Sequence, residues 1–261
     1  MELVTPPSPQ AAQALADRLG PRACFIAGGT VLQQGWDEPR LAPDGVCFIN
    51  LQAWPETQQI TLDDHHLHIG AGARLETVRT DPRVRAQAPL LSEALGQLGA
   101  LGVRRLGTLG GNVGWGVGDT GPVLLVLDAE ARLADGTHAP LVEVLQRPVL
   151  PLLLGFRLPR ADRRPVHTAF EKVGYRAAFS PARVRVALRW ARPERGLSLL
   201  RAAAGAPGTP IRRLTAVEAL LDQPGAVTPD LAAVRRACQA HLPAELALMV
   251  SRLIAGHCGL L

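Results

Sequence analysis

Two glycine-rich segments constrain this chain more than any other feature. The first, Ala27-Gly28-Gly29-Thr30, directly follows the apolar run Cys24-Phe25-Ile26; the second is Gly107-Thr108-Leu109-Gly110-Gly111-Asn112. Adjacent glycines let backbone N–H groups turn toward one point with no Cβ in the way. Such concave sets of amides bind anionic oxygens, so two of them on one chain predict a site that grips the two phosphates of a dinucleotide from two sides. Taken singly, each has a plainer reading. Gly28-Gly29 fits a hairpin turn, and Gly110-Gly111-Asn112 fits a helix C-cap and turn, because Gly and Asn both accept positive φ.

The 261 residues allow one large domain or two to three smaller ones, and 47% apolar content supplies a substantial core. No stretch approaches the roughly 20 apolar residues of a membrane span. The N-terminus Met1-Glu2-Leu3-Val4-Thr5-Pro6 lacks the basic-then-apolar order of a signal peptide, so a cytoplasmic protein is expected. The net charge of +5 comes almost wholly from arginine, Lys172 being the one lysine. Those arginines are interleaved with Asp and Glu, and no basic run with interspersed aromatics occurs, which argues against a nucleic-acid surface. The cysteines Cys24, Cys47, Cys238 and Cys258 show no metal-cluster spacing, so the chain does not carry its own iron–sulfur cluster. Cys24 and Cys47 lie in strand-like runs and are expected to be buried thiols.

Local signals predict an α+β order. Ser8 as N-cap and Pro9 at the first helical position open a helix through Leu19, closed by Gly20-Pro21. Strands are expected over Arg22–Ile26 and Val46–Leu51, with a short helix or extended segment between them through Leu32 and Trp36. A hairpin follows over Gln59–Leu62 and Leu67–Gly70, turning at Asp63-Asp64. The spacing predicts a helix from Pro89 to Leu101, a helix-to-strand passage from Pro122 to Leu133, a turn at Asp135-Gly136 and a strand over Leu150–Leu158. Pro159 to Pro165 reads as a linker. Beyond it come strands at Val184–Trp190 and Leu197–Ala203, and helices at Thr215–Leu221, Thr228–His241 and Pro243–Ala255. Regular strand–helix alternation and the G-x-G-x-x-G fingerprint are both missing, so the phosphate site belongs to an architecture other than a Rossmann sheet.

The order of these segments resembles the FAD-binding subunit of the molybdenum hydroxylases, the family of the medium subunits of bacterial xanthine dehydrogenases and carbon monoxide dehydrogenases. Besides the two glycine segments, Ile69-Gly70-Ala71-Gly72-Ala73, Asp81-Pro82-Arg83-Val84, Ala88 to Ala94, Leu153 to Pro159 and Phe170 to Arg176 are similar to that family, in order, over most of the chain. The resemblance implies a vanillyl-alcohol-oxidase (PCMH)-type FAD-binding domain over 1–160, with subdomains of about 1–54 and 55–160. A small α+β C-terminal domain would follow over 166–261. It implies that Ala27, Gly28, Gly29, Thr30, Val31 and Leu32 wrap the FAD pyrophosphate, and that Thr108, Gly110, Gly111 and Asn112 meet the same cofactor from the second subdomain. Leu153 lies on the strand that would close the flavin domain. Lys172 matches a family lysine near the flavin, where a cation stabilises a reduced, anionic ring. The family's acidic ribose contact aligns with Asp119, although Val113-Gly114-Trp115-Gly116-Val117-Gly118-Asp119 is about two residues shorter than usual, and Leu106 stands where a polar residue is common. The implied partners are a molybdenum-cofactor large subunit and a [2Fe–2S] small subunit, with NAD or another molecule as final acceptor.

Two alternatives stay open on the sequence: a stand-alone flavin oxidoreductase, and a scaffold that kept the fold and lost FAD, which the short 113–119 loop would suit. No Ser-His-Asp or Cys-His arrangement sits in a recognisable motif. Asp63-Asp64-His65-His66-Leu67-His68 puts His66 and His68 on one strand face, the geometry of two metal ligands. No third ligand is evident from the sequence, so this segment is expected to be a solvated turn and no metal site is assigned.

Overall fold

The structure is a computed structural model describing residues 1–32, 44–161, 165–176, 180–192, 197–223 and 229–260. It divides into two compact units, Met1–Gly118 with Ala129–Arg160, and Asp119–Asp128 with Ala161–Leu261. Among the described residues, no helix is long and apolar enough to cross a membrane. Trp36, the middle of the 159–165 linker and Thr228 lie outside the described residues.

In the first unit, β1 (Glu2–Val4) leads to α1 (Pro9–Leu19), where the Ser8 hydroxyl accepts the Ala11 N–H at 3.1 Å, as its capping position requires. Gly20, at φ +55°, ends the helix. The strands β2 (Ala23–Ile26) and β3 (Cys47–Asn50) complete a parallel sheet in the order β1-β3-β2. Ala12 of α1, Ile49 and Trp54 pack with Ala134, Leu152 and Leu154 into one core. Burying Ile49 or Leu152 there contributes about 1.5–3 kcal/mol each relative to exposure.

The hairpin β4 (Ile60–Leu62) and β5 (His66–Gly70) opens a second sheet. Its helical cover follows as α2 (Leu75–Thr80), α3 (Pro82–Gln87) and α4 (Pro89–Gly96). The helix expected to run on to Leu101 stops at Gly96. Gly99 takes φ +47°, a left-handed conformation that breaks the α-helical hydrogen-bond series, and a separate helix α5 (Leu101–Leu106) begins beyond it. The second glycine segment serves both ends: Gly107 is the C-cap of α5, and Gly110-Gly111-Asn112 lie not at a C-cap but inside α6 (Leu109–Gly114), which Thr108 opens as N-cap, its Oγ1 accepting the Gly111 N–H at 3.1 Å.

The next helix, α7 (Thr120–Val126), belongs to the second unit, although the sequence reading includes it in the first domain. All seven of its residues are buried, so it needs apolar cover on every side. The first unit resumes with β6 (Glu130–Leu133), β7 (His138–Pro140), α8 (Leu141–Val144) and β8 (Leu153–Pro159). The second sheet is antiparallel, in the order β4-β5-β8-β6-β7. Leu67 and Ile69 of β5 point to the core while His66 and His68 take the other face.

The second unit is built on β9 (His167–Gly174), β10 (Ala182–Ala191), β11 (Ser198–Ala206) and β12 (Thr209–Arg213), antiparallel and ordered β12-β11-β10-β9. Val184, Val186, Leu188 and Trp190 alternate onto one face. There they pack with residues of α9 (Thr215–Leu221), α10 (Leu231–Gln239) and α11 (Ala244–Cys258). The helix α7 packs against β10, β11 and β12. At its C-terminal end Asp128, at φ +52°, receives Arg189 at 3.4 Å, Arg201 at 3.0 Å and Arg213 at 3.1 Å. Three charge-assisted contacts offset the cost of about 1–2 kcal/mol for a left-handed non-glycine residue.

Candidate functional site

The two glycine segments, far apart in sequence, meet inside the first unit. A Cβ at Gly28 would strike the Leu106 carbonyl oxygen and stand 2.8 Å from the Gly107 Cα; one at Gly107 would lie 3.4 Å from Thr30 Oγ1. The approach is backbone to backbone, which only glycine permits. The neighbouring Gly29 takes φ +68°, and nothing lies within 4 Å of the Cβ position there. Among the described residues, no acceptor takes the Gly28 or Gly29 N–H, while the Ala27 carbonyl is held by Gln52 Nε2 at 2.5 Å.

The second segment differs from the first in what its amides do. Leu109 N–H donates to Ala73 at 3.0 Å, Gly110 N–H to Ala71 at 2.8 Å, Gly111 N–H to Thr108 Oγ1 and Asn112 N–H to Thr108 at 2.9 Å. The two glycine segments therefore differ in where their amides go. The Gly28-Gly29 segment offers donors, whereas the Thr108–Asn112 segment forms a wall locked to the Gly70–Ala73 turn. Close fits explain its small residues: a Cβ at Gly110 would sit 2.7 Å from that of Ala71. The wall continues into β8, because Ala71 N–H donates to Leu154 at 3.0 Å. Leu153, at the start of β8, is buried. Arg74, which sequence reasoning missed, ties the assembly further: its Nη1 donates to the Leu106 carbonyl. Behind it Glu76 receives Arg79 at 2.5 Å and Arg104 at 2.7 Å. The hydrogen bonds from Arg79, then Arg104, pull the Glu76 carboxyl down to about 2.

The remaining predicted residues, Asp119 and Lys172, come together in the second unit. Lys172 Nζ donates to Asp119 Oδ2 at 2.6 Å, and Arg185 Nε donates to Asp119 Oδ1. Asp119 occupies the N-cap position of α7 without capping it, since both carboxylate oxygens are turned to these cations. Arg185 is a second residue that sequence reasoning missed. It stands on the face of β10 opposite Val184 and Val186, where alternation alone predicts a solvated charge. It is 5% exposed, and among the described residues its Nη1 finds no hydrogen-bond partner.

The His-rich hairpin also departs from expectation. Asp63 supplies the third donor that the sequence did not reveal: ligand atoms of Asp63, His66 and His68 all lie within 4.8 Å of one another. The four cysteines are free thiols; Cys47 is buried as expected and Cys24 half-buried.

Comparison with known proteins now bears on this geometry. Residues 1–146 match the family described as the FAD binding domain in molybdopterin dehydrogenase. The FAD-subunit of nicotinate dehydrogenase from Eubacterium barkeri is 30% identical over 115 residues, which are 42% of this chain and 37% of that protein. The match thus spans little more than a third of the curated relative's length. Among solved structures, a chain of carbon monoxide dehydrogenase from Hydrogenophaga pseudoflava is similar with a TM-score of 0.81 at 22% identity, covering 100% of this chain and 96% of that one. A chain of the reconstituted CO dehydrogenase from Oligotropha carboxidovorans gives a TM-score of 0.82 at 19% identity, covering 100% and 96%. At these identities the structural likeness carries the fold, a mixed helix–strand arrangement shared with the carbon monoxide dehydrogenases.

Proposed function

The chain belongs to the family of FAD-binding domains of molybdopterin dehydrogenases, as an FAD-binding subunit of the molybdenum hydroxylases, and on that premise we propose that it relays electrons within such a complex. It would receive them from [2Fe–2S] clusters on a partner subunit, after a molybdenum subunit has oxidised the substrate, and pass them to NAD or another acceptor. The cofactor is FAD, and it supplies the redox chemistry when bound; the chain supplies position, donors and exclusion of water.

One observation carries the reading: Gly28 lies against the Leu106–Gly107 backbone while the Gly28 and Gly29 amides and the open space at Gly29 face no described acceptor. A buried diphosphate needs several donors, and the Gly28-Gly29 segment offers main-chain donors beside open space. Ala27 to Leu32 would hold the phosphates. Thr108, Gly110, Gly111 and Asn112 would shape the opposite wall, with Leu153 behind it. For Asp119 and Lys172 the flavin roles remain those that the resemblance implies. We assign residues 1–160, apart from the α7 segment 119–128, to the vanillyl-alcohol-oxidase (PCMH) type, with subdomains of about 1–54 and 55–160. The separate parallel sheet at residues 2–50 and antiparallel sheet at 60–159 support that division. The C-terminal domain is proposed over 166–261, and the cytoplasmic location expected from the sequence goes with this reading.

The test begins with the visible spectrum of the purified chain. Oxidised flavin absorption, with FAD identified after release by acid, is expected. Substrate should bleach that absorption only when the molybdenum and iron–sulfur subunits are also present. A colourless chain that takes up no added FAD would overturn the reading in favour of a scaffold. Bleaching by an organic substrate with the chain alone would overturn it in favour of a stand-alone oxidoreductase.

A further inference from the structure

The outward face of the β4–β5 hairpin gathers a donor set outside the segments proposed to hold FAD. His66 and His68, two residues apart on β5, share that face, while Leu67 and Ile69 are buried beneath. Asp63 folds back over the turn. Its Oδ1 accepts the N–H groups of His65 at 2.8 Å and His66 at 2.7 Å, which fixes the carboxylate. Its Oδ2 then lies 2.6 Å from His68 Nε2. We propose that Asp63, His66 and His68 form a surface site for a borderline divalent cation such as Zn2+.

Chemistry and geometry favour that class of ion. Two imidazoles and one carboxylate suit zinc and its neighbours in the first transition row rather than Ca2+ or Mg2+, which take oxygen. Ligand atoms within 4.8 Å of one another need only side-chain rotation to close to the roughly 2.0–2.2 Å bonds of zinc. Part of the neighbouring positive charge is compensated, although Arg160, whose main-chain N–H donates to the His65 carbonyl at 2.9 Å, also lies close by. Arg157, directly across from His68 on β8, is paired with Glu130, so its guanidinium does not oppose an incoming cation. Binding would replace the His68–Asp63 hydrogen bond by two metal–ligand bonds, with any shared proton released to solvent. Three protein ligands leave at least one position for water, the arrangement of an open rather than a closed structural site.

Isothermal titration of the full, flavin-loaded chain with Zn2+ is expected to show one site. His68→Gln and His66→Gln should each weaken it by at least the ~10–100-fold that loss of a supporting second-shell partner costs. His138→Gln, on β7 of the same sheet, should leave it unchanged. Binding of equal affinity in the His66→Gln/His68→Gln double variant, or no binding by the wild type, would overturn the proposal. Imidazole proton resonances of the wild type provide a readout without any variant. Zn2+ should shift those of His66 and His68 and leave those of His241 and His257 in place; the reverse pattern would also overturn it. Neither readout depends on the electron-transfer reading, so failure of one leaves the other standing.

Discussion

Lys172 of β9 and Arg185 of β10 stand directly opposite each other in the antiparallel register, two like charges on one face of the sheet. Such a pair repels when unaided. Asp119, brought in at the start of α7, bridges them with one oxygen to each. The bridge explains how two cations and one carboxylate are held together in a place where Asp119 is 2% and Arg185 5% exposed.

Removing the bridge should therefore be expensive. Asp119→Asn leaves two facing cations, one of them buried, and is expected to lower stability by about 3–5 kcal/mol, measured by urea unfolding. Lys172→Met should cost much less, because it removes the repulsion along with the partner and leaves the Arg185–Asp119 pair intact. Equal effects of the two substitutions would refute the bridging role.

Gly28 and Gly29 should separate under the same small substitution. Gly28→Ala drives a methyl into the Leu106–Gly107 backbone, which cannot yield as a flexible side chain would. A loss of about 1–3 kcal/mol from overpacking is expected, together with weakened FAD retention. Gly29→Ala meets open space but a φ of +68°, so the expected cost is the left-handed strain alone, about 1–2 kcal/mol. Thermal melts and flavin content of the two variants check both statements.

Glu76 gives a defined acid response. Its carboxyl lies at about 2 in the folded chain against 4.5 for an unperturbed group, held down first by Arg79 and then by Arg104. A depressed folded value means that the unfolded chain binds the proton first. The contribution is thus fully present above pH 4.5 and is lost as pH falls toward 2. Glu76→Gln should abolish that part of the pH dependence in denaturant titrations and leave the slope above pH 6 unchanged.

The thiols of the second unit respond at the opposite end. Burial pushes Cys238 up to about 12 and Cys258 up to about 11 from 9.0. Both should resist alkylation in the native chain at neutral pH and react only after unfolding, as read by mass spectrometry, because thiolate is the nucleophile. Since the folded values are raised, their stabilising contribution is present below pH 9 and declines as pH rises toward 11–12.

Much of the fold could be read along the chain. The Ser8-Pro9 start of α1, the β4–β5 hairpin, the Asp135-Gly136 turn and the alternating strand β10 all follow from signals spanning a few residues. The break at Gly99 was hidden because apolar spacing continues through Leu98 and Leu101 while the interruption is a backbone conformation. The placement of α7 was hidden for a different reason. A helix apolar on every side beyond its first residue, Thr120, shows that it must be buried without showing where.

By itself the sequence determined the local grammar: where helices start, which strand faces are apolar, and that two segments could present backbone without a Cβ. It also carried the family resemblance through the order of those segments. Only the tertiary structure decided that Gly28 meets Leu106, that the second glycine segment uses its own amides internally, that Asp119 bridges Lys172 and Arg185, and that Asp63 joins His66 and His68. The first three of these contacts join residues distant in the chain, and their geometry depends on how sheets and helices pack. The last turns on where a particular carboxylate points, which residue spacing does not specify.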